Sequence, residues 1–546
     1  MCTLGFHRFR RPLSLVLAAV LTLLVWSQTA SACDVAVVSA QASATGRPFI
    51  WKNFDCSSYW RQEMKYYPAA NPSVGGYYLL YHNDDTMALA NNGDPLTPQA
   101  AMNEAGFAIS VAAVYEDFNP LHESKNLNTD LVKDAAANCK TIAEFEAYIK
   151  VWPTQHSGHP ISANYVVIDA HGGAALYEMY TGRWTDMGKP MPIQYRKFDA
   201  NTGIATNHLG QMITVSQPSP FPGFVNRTNL NNYIPFNPGR ERAARATELL
   251  TKLAEDGDLS PEKIMFKVAK DTIGQQLNIP GGGDTKYSMT YCISRSQTRS
   301  GSVIEGVAPG GDPRLTTYWC AFGEPSVSVF VPTLAGSHSV TDYVYIDTLL
   351  PNGIFADLND GCLLTNAEDL RETCNLELYE SNRGNPIFGP DDKFINRLIL
   401  YAIQKWTHPL EKIVVDKTNE YLAFYREHPD LIDPAEFQAF QQYCHRFVYE
   451  NYLLTSPWAV SWEYPMPSIP KQTTPASPEQ AAGAPAAGLT QPQTQATVTD
   501  QVYSQTPDPG PSPGTNPADP DTNKETPSTT VTDQVYSGST ETVPQP

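Results

Sequence analysis

Short segments of β-branched and aromatic residues recur between residues 33 and 332, and many are bounded by Gly, Pro, Asn or Asp. This pattern is typical of strands that turn back at short intervals. The strand candidates are 34–40, 48–54, 77–82, 107–114, 165–169, 174–179, 204–207, 288–293, 302–306 and 316–322. Strands therefore dominate this part of the chain.

Helical periodicity is confined to a few segments that stand apart from these strands. Residues 129–151 place apolar side chains at steps of three and four, and residues 240–255 form a second candidate. A third covers 261–272, with Ser260 as its cap and Pro261 in its first turn. Runs of strands with separate helices favour an α+β layered domain over a doubly wound sheet.

The first 32 residues have the features of a signal peptide. A basic lead at residues 7–11 is followed by an apolar run at 13–26 and by small residues at 30–32. The apolar run is short for a membrane span, and no later stretch is apolar enough to form one. We therefore expect export to the periplasm or the extracellular space, with Cys33 as the first residue of the mature chain.

Two other fates of this start remain open. A lipoprotein would carry lipid on the cysteine at the cleavage point, although that signal normally has Leu where Ala30 stands. An uncleaved membrane anchor is the second. Lipidation would acylate the amine of Cys33 and so exclude any chemistry that needs this amine.

Composition limits the partners. The formal net charge is −19, and loss of Arg8, Arg10 and Arg11 with the signal makes the mature chain more negative. A field of that sign repels phosphates, which argues against nucleic acid as a partner.

The composition changes twice after the strand-rich region, which predicts a hydrolase domain at 33–360 and two further segments. Residues 361–465 are predicted to form a helical C-terminal extension, with helices at 394–406 and 434–452. Residues 466–546 are rich in Pro, Thr, Gln and Ala, and we predict a disordered tail because so few apolar side chains cannot offset the ordering entropy. The sequence TVTDQVYS occurs twice in the tail, and this repeat is either a docking motif or a duplicated spacer.

Cys33 would offer two functional groups on one residue once it begins the chain. The thiol can attack a carbonyl carbon, and the free α-amine, with an ordinary pKa of about 7.7–8.0, can accept the thiol proton. No separate histidine is then needed. The cleavage that this chemistry requires is supplied by Ala30-Ser31-Ala32.

Several motifs follow Cys33 in a recognisable order. They are Trp51-Lys52-Asn53-Phe54-Asp55, Asn103-Glu104-Ala105-Gly106-Phe107, Asn138-Cys139-Lys140-Thr141-Ile142 and Thr206-Asn207-His208. Together they resemble the N-terminal nucleophile hydrolases of the choloylglycine hydrolase, penicillin acylase and acyl-coenzyme A:isopenicillin N acyltransferase group. Members begin with Cys and a strand, and their second strand ends in Gly-Arg-Asn-x-Asp. The resemblance implies a four-layer αββα sandwich.

The resemblance also implies catalytic roles. Asp55 would accept hydrogen bonds from the ammonium group of Cys33. Asn207 would donate its side-chain amide to the oxyanion, and a backbone N–H near Ala113 would be the second donor.

Two basic residues complete the implied site. Lys52 stands where the family usually has Arg, and its positive charge would stabilise the thiolate, although Lys lacks the planar fork of Arg. Arg242 falls where bile salt hydrolases have another active-site arginine.

The residues indicate neither a metal nor a cofactor. His156 and His159 lie among Ser, Gly and Pro, and the chain has no Cys-x-x-Cys, no Gly-x-Ser-x-Gly and no phosphate loop. Export permits disulfides, and Cys362 and Cys374 are the candidates for a local disulfide bond.

The sequence thus predicts hydrolysis of a linear amide, with a small N-acyl amide or a short peptide as the substrate. An acyltransferase, in which an amine replaces water, and a dipeptidase of the related cysteine group remain alternatives. A surface lipoprotein lipidated at Cys33, with a binding role and no catalysis, is a third alternative of another class.

We predict that the exported chain begins at Cys33 with a free amine, because small residues acceptable to signal peptidase directly precede it. Intact-mass analysis of the exported protein should match a chain that starts there. A mass that includes a diacylglycerol adduct would contradict both this prediction and the hydrolase interpretation.

Overall fold

The computed structural model describes part of the chain, and every structural statement below refers to that part. The described residues are 33–55, 61–83, 96–114, 129–155, 161–180, 193–214, 223–229, 239–273, 276–277, 286–287, 292–295, 297–344, 379–381, 393–395, 397–452 and 461–468. The predicted signal peptide, Cys362, Cys374 and nearly all of the predicted tail lie outside these ranges.

Cys33 begins a strand in the interior of a six-stranded antiparallel sheet, counted over the described residues. In spatial order the strands are β11 (Phe224–Arg227), β1 (Cys33–Val38), β2 (Phe49–Asp55), β14 (Thr298–Glu305), β15 (Thr317–Phe322) and β16 (Val331–Leu334). All residues of β1 and β2 are buried. Strands that are covered on both faces read as continuous apolar runs, which explains their Val- and Phe-rich sequences.

A second antiparallel sheet has eight strands within the described ranges. Its spatial order is β10 (Ala205–Asn207), β9 (Gln194–Asp199), β8 (Ala174–Tyr180), β7 (Ser162–Ile168), β6 (Ala108–Ala113), β5 (Leu96–Asn103), β4 (Tyr77–Asn83) and β3 (Arg61–Tyr67). Two short hairpins pair β12 (Gln276–Leu277) with β13 (Lys286–Tyr287), and β17 (Tyr379–Ser381) with β18 (Lys393–Ile395). The two large sheets face each other, since β1 contacts β6, β7 and β8.

Helices cover the outer face of each large sheet. They are α1 (Asp130–Asn138) and α2 (Ile142–Gln155) on the eight-stranded sheet, and α3 (Arg240–Glu255), α4 (Pro261–Lys263), α5 (Arg397–Glu427) and α6 (Pro434–Asn451) on the other. A π-helical turn, Ile264–Val268, continues α4, and single 3₁₀ turns cover Pro313–Leu315, Ala335–Ser337 and Pro429–Leu431. The predicted α+β, four-layer αββα sandwich is therefore confirmed.

Alternation along one strand shows how the layers are built. Tyr78 and Leu80 of β4 belong to the core between the sheets, whereas Tyr77 and Leu79 belong to the core under α1 and α2. Successive side chains of a strand point to opposite faces, so one strand serves two cores.

The predicted helix at 129–151 is in fact two helices, which corrects the periodicity argument. Cys139 is extended, and α2 begins again after Thr141, whose hydroxyl accepts a hydrogen bond from the Glu144 N–H at 3.1 Å. The Glu144 carboxylate in turn accepts the N–H of Lys140, the residue before Thr141, at 2.6 Å. Asn103 fixes the break by donating its amide to the Cys139 carbonyl at 2.8 Å.

Other boundaries also differ from the sequence prediction. The helix expected at 394–406 runs from Arg397 to Glu427, and Phe394 belongs to β18 instead. Of the strand expected at 288–293, only Cys292 and Ile293 are described, and they are not in a strand. In the two large sheets, strands β3, β5, β9, β11 and β16 were not predicted, and neither were the short strands β12, β13, β17 and β18.

The C-terminal helices pack directly on the six-stranded sheet. His445 of α6 is fully buried, with Nε2 2.7 Å from the Pro332 carbonyl and Nδ1 2.6 Å from the Thr341 hydroxyl. A carbonyl can only accept, so Nε2 carries the proton and Nδ1 accepts from Thr341. The imidazole is thus neutral, and burial lowers the pKa of His445 to about 4.

We predict that His445 makes the fold sensitive to mild acid. Between the ordinary pKa of 6.5 and about 4, the unfolded chain binds a proton at His445 that the folded chain does not. Its contribution to stability is therefore complete above pH 6.5 and is lost as the pH falls towards 4. Between pH 7 and pH 5, the free energy of unfolding should therefore fall by about 2 kcal/mol less in His445→Gln than in the wild type.

Urea denaturation at the two pH values measures this difference, with His428→Gln as the matched control. Equal pH sensitivity in the wild type and His445→Gln would show that His445 is not the responsible group.

Candidate active site

Cys33 lies at the buried start of β1, in register with Phe54 of the neighbouring β2. The residue is 4% exposed, and its backbone nitrogen donates to Oδ1 of Asn229 at 2.6 Å. This nitrogen is a peptide N–H while Ala32 precedes it, and it becomes the α-amine if that bond is cut. Asn229 Oδ1 is therefore placed to orient the amine.

Asn229 is held on three sides. Its Oδ1 also accepts from Nη2 of Arg242 at 3.2 Å, and its Nδ2 donates to the carbonyl of Ala113 at 2.6 Å. Asn229 is buried and lies two residues after the end of β11, with Thr228 between them. These contacts fix which end of the amide faces Cys33.

Asn207, the residue predicted for the oxyanion, is used elsewhere. Its Oδ1 accepts the N–H groups of Leu209 and Gln211, each at 3.0 Å, and its Nδ2 donates to the Gln211 side chain at 2.9 Å. These bonds close a turn after β10, at the edge of the eight-stranded sheet. Asn207 is therefore bonded within its own turn, and the amide that contacts Cys33 comes from a second Thr-Asn pair, Thr228-Asn229.

Asp55 is buried at the end of β2 and held by two residues that the sequence analysis missed. Arg295 places Nε and Nη2 each 2.8 Å from Oδ2, and the Thr298 hydroxyl donates to Oδ1 at 2.6 Å. The backbone N–H of Asp55 hydrogen-bonds the thiol of Cys33. An arginine and a hydroxyl therefore fix the position of the Asp55 carboxylate, while the Cys33 nitrogen donates to Asn229.

Arg242 reaches the site from α3 and is also fully buried. Its Nε donates to Asp34 at 3.3 Å, and its Nη1 lies 3.6 Å from Oδ2 of Asp55. Burial lowers the pKa of Arg242, but Asp34 and Asp55 outweigh it and raise the pKa above its ordinary value. Burial raises the pKa of Asp34 to about 6, against the opposing effect of Arg242.

Lys52 is buried on the side of Cys33 that faces the eight-stranded sheet. Its Nζ lies 2.5 Å from the Val111 carbonyl, 2.7 Å from Oε1 of Gln99 and 3.4 Å from the Gln99 carbonyl. Three acceptors match the three N–H donors of an ammonium group, which has no lone pair to act as a base. Burial lowers the pKa of Lys52, and the charges of Cys33 and Asp55 oppose this effect.

The thiol of Cys33 responds to these charges. Burial raises its pKa, Lys52 lowers it, and Asp55 raises it further. A raised pKa favours the protonated thiol, which needs a base before it can attack.

The backbone of Ala113 faces Asn229, which contacts Cys33. The N–H of Val114 donates to the Ser162 carbonyl at 2.9 Å, so Ala113 and its partner Ala163 form a non-hydrogen-bonded pair of the β6–β7 ladder. The carbonyl of Ala113 therefore points away from β7, where it meets Asn229, and its N–H projects from the same edge.

Buried polar contacts connect β11, which leads to Asn229, to the opposite sheet. Arg227 donates from Nε to Glu178 of β8 at 2.7 Å, and Asn164 of β7 donates to the Thr228 carbonyl at 2.8 Å. Both Arg227 and Glu178 are almost fully buried. These contacts set the distance between the sheets where Asn229 meets Cys33.

Within the described ranges, no group of three or more His, Cys, Asp or Glu side chains is arranged to hold a metal ion. The same part of the chain contains no helix with the length and apolar character needed to cross a bilayer.

No family model matches the sequence, and neither does any curated protein. Among solved structures, the chain is similar to the Caenorhabditis elegans ortholog of N-acylethanolamine-hydrolyzing acid amidase, at 16% identity over 51% of this chain and 93% of that chain, with a TM-score of 0.30. Two variants of a conjugated bile acid hydrolase from Clostridium perfringens are similar at 13% identity over 53% of this chain and 89% of theirs, with TM-scores of 0.28 and 0.27.

Proposed function

We propose that this protein is an exported N-terminal nucleophile hydrolase that cleaves linear amide bonds with Cys33. The observation that carries the proposal is the environment of this one residue. Its nitrogen is held by Asn229 at 2.6 Å, while its thiol accepts the Asp55 N–H and lies near the charge of Lys52. A residue held at both its nitrogen and its sulfur is suited to use one as base and the other as nucleophile.

The reaction begins with proton transfer inside Cys33. The α-amine takes the thiol proton, and the sulfur attacks the carbonyl carbon of the amide. Lys52 stabilises the thiolate that forms, and Asn229 keeps the lone pair of the amine directed at the sulfur. The carboxylate of Asp55 and the amide oxygen of Asn229 stabilise the ammonium state, and Arg242 holds Asn229 in place.

The tetrahedral intermediate then loses the amine portion of the substrate. The ammonium of Cys33 donates its proton to the leaving nitrogen as the C–N bond breaks, and a thioester remains. The backbone N–H of Ala113 would donate to the oxyanion. Water attacks the thioester, the amine takes a proton from this water, and the acid is released with the thiol restored.

We propose small N-acyl amides as the substrate class, with short peptides as the alternative. An acyltransferase differs only in the acceptor, so an added primary amine would increase the yield of a new amide at the expense of the acid. No cofactor takes part in this mechanism.

We predict that activity depends on the free amine of Cys33 and on its thiol separately. Two preparations test the amine: the mature chain, and the same chain with Ala32 retained, which keeps the thiol but has an amide nitrogen at Cys33. The mature form should hydrolyse N-acyl amides, and the longer form should lose about 10²-fold or more, as expected without its general base. Cys33→Ala should abolish hydrolysis.

Hydrolysis rates for a panel of N-acyl amides and dipeptides provide the measurement, with mass spectrometry to confirm each N-terminus. Full activity in the chain that retains Ala32 would exclude the amine as base. Full activity in Cys33→Ala would place the reaction at another site.

We further predict opposite behaviour for the two Thr-Asn pairs. Asn229→Ala should lower kcat about 10²-fold because the amine of Cys33 loses its acceptor. Asn207→Ala should leave kcat within about twofold and cost at most about 1 kcal/mol, since only a surface turn is affected. Steady-state kinetics and thermal unfolding of both variants test these roles. A large loss of kcat in Asn207→Ala with normal kcat in Asn229→Ala would reverse the assignment.

A further inference from the structure

A short segment after the π-helical turn connects the elements that carry the active-site residues. We name Ala269, Lys270 and Asp271 the junction segment. The carbonyl of Ala269 accepts a hydrogen bond from Nδ2 of Asn53 at 2.8 Å, and Asn53 lies in β2 two residues before Asp55. The first residue of the junction segment therefore holds the strand that ends at the site.

Asp271 holds two more of these elements. Its carbonyl accepts the N–H of Ser294 at 2.8 Å, and Ser294 directly precedes Arg295. Its carboxylate is bound by Arg245 through Nε at 3.1 Å and Nη2 at 2.9 Å. Arg245 lies on α3, about one turn after Arg242. Displacing Asp271 would thus move the supports of both site arginines.

Lys270 joins the junction segment to the C-terminal helix α5. Its Nζ lies 3.0 Å from Oε2 of Glu411 and donates to the Ser328 carbonyl at 2.8 Å. Glu411 Oε1 accepts the N–H of Phe330 at 2.8 Å. The side chains of Lys270 and Glu411 are 2% and 0% exposed, so water screens this pair very little.

We propose that Glu411 is a positioning residue for the active site, and that the C-terminal extension is a working part of the enzyme. This inference rests on the proposed function of Cys33. Through Lys270, Glu411 fixes the junction segment, which in turn fixes the end of β2, α3 and the residues before Arg295. The extension therefore supports Arg295 and Arg242, which hold Asp55, although none of its described contacts reaches Cys33.

The energetics of a buried pair support this role. Removing one partner of such a pair leaves an uncompensated charge in the interior, which is strongly unfavourable, so the chain around it shifts. A misplacement of about 1 Å at catalytic groups can cost about 10²-fold in rate. A change at Glu411 is thus expected to act on turnover through Lys270 and the junction segment.

The variant Glu411→Gln tests the proposal in the mature enzyme. Glutamine keeps an acceptor for the Phe330 N–H but removes the charge that faces Lys270. We expect kcat for an N-acyl amide to fall about 10- to 100-fold, with KM within about twofold. The pH dependence of Cys33 alkylation should also shift by about half a unit or more, because Asp55 and Lys52 set the charge near the sulfur.

Gln441→Met is the matched control. Gln441 of α6 also ties the extension to the sheet, since its Oε1 accepts the Leu334 N–H at 2.9 Å and the Ser337 hydroxyl at 3.1 Å. None of its hydrogen bonds in the described part of the chain reaches the junction segment. This variant should lower the melting temperature while leaving kcat and the alkylation profile unchanged.

Each outcome bears on the proposal. Normal kcat and an unchanged alkylation profile in folded Glu411→Gln would overturn it, as would an equal kinetic loss in Gln441→Met. If Glu411→Gln does not fold, Glu411→Asp serves as the second variant, because it keeps the charge on a side chain shorter by one methylene. It must then show a smaller fall in kcat and a smaller shift of the alkylation profile. If the wild type hydrolyses no amide, the proposed function fails, and the alkylation profile alone still decides the positioning role.

Discussion

The burial of Asp55 against Arg295 and Arg242 beside Cys33 is the interaction on which the rest of the site depends. A carboxylate that is fully removed from water is stable only if charged or polar partners replace its hydration. Arg295 and Thr298, three residues apart, provide two of these partners, and Arg242 provides the third from another part of the chain. The requirement to satisfy one charge therefore determines where several elements must meet.

The same requirement extends outward from Asp55. Arg242 is shared with Asp34 and Asn229, so the group that neutralises the carboxylates also fixes the amide that faces the Cys33 nitrogen. Lys52 supplies positive charge from the opposite face of β2, because successive residues of a strand alternate between the two sides. The sulfur of Cys33 thus lies between Lys52 on one side and a paired cluster of carboxylates and arginines on the other.

The outer helices belong to this arrangement. The sequence predicted a helical C-terminal extension, and three polar residues of its helices, Glu411, Gln441 and His445, are buried with partners in the sheet region. Buried polar groups that are fully paired specify one packing arrangement, since any shift leaves a donor or an acceptor unpaired. The extension is therefore docked in a defined register.

The sequence by itself determined the class of fold and indicated Cys33 as the proposed nucleophile. Strand periodicity is local, and so are the small residues before Cys33 and the placement of Lys52 and Asp55 on one strand. Only the tertiary structure decided that Asn229 meets Cys33 and Asn207 does not, since both follow Thr at the end of a short strand. The same holds for Arg295 and Thr298, which reach Asp55 across 240 and 243 residues of chain. The physical reason is that a hydrogen bond between distant residues depends on sheet register and layer packing, which leave no local trace in the sequence.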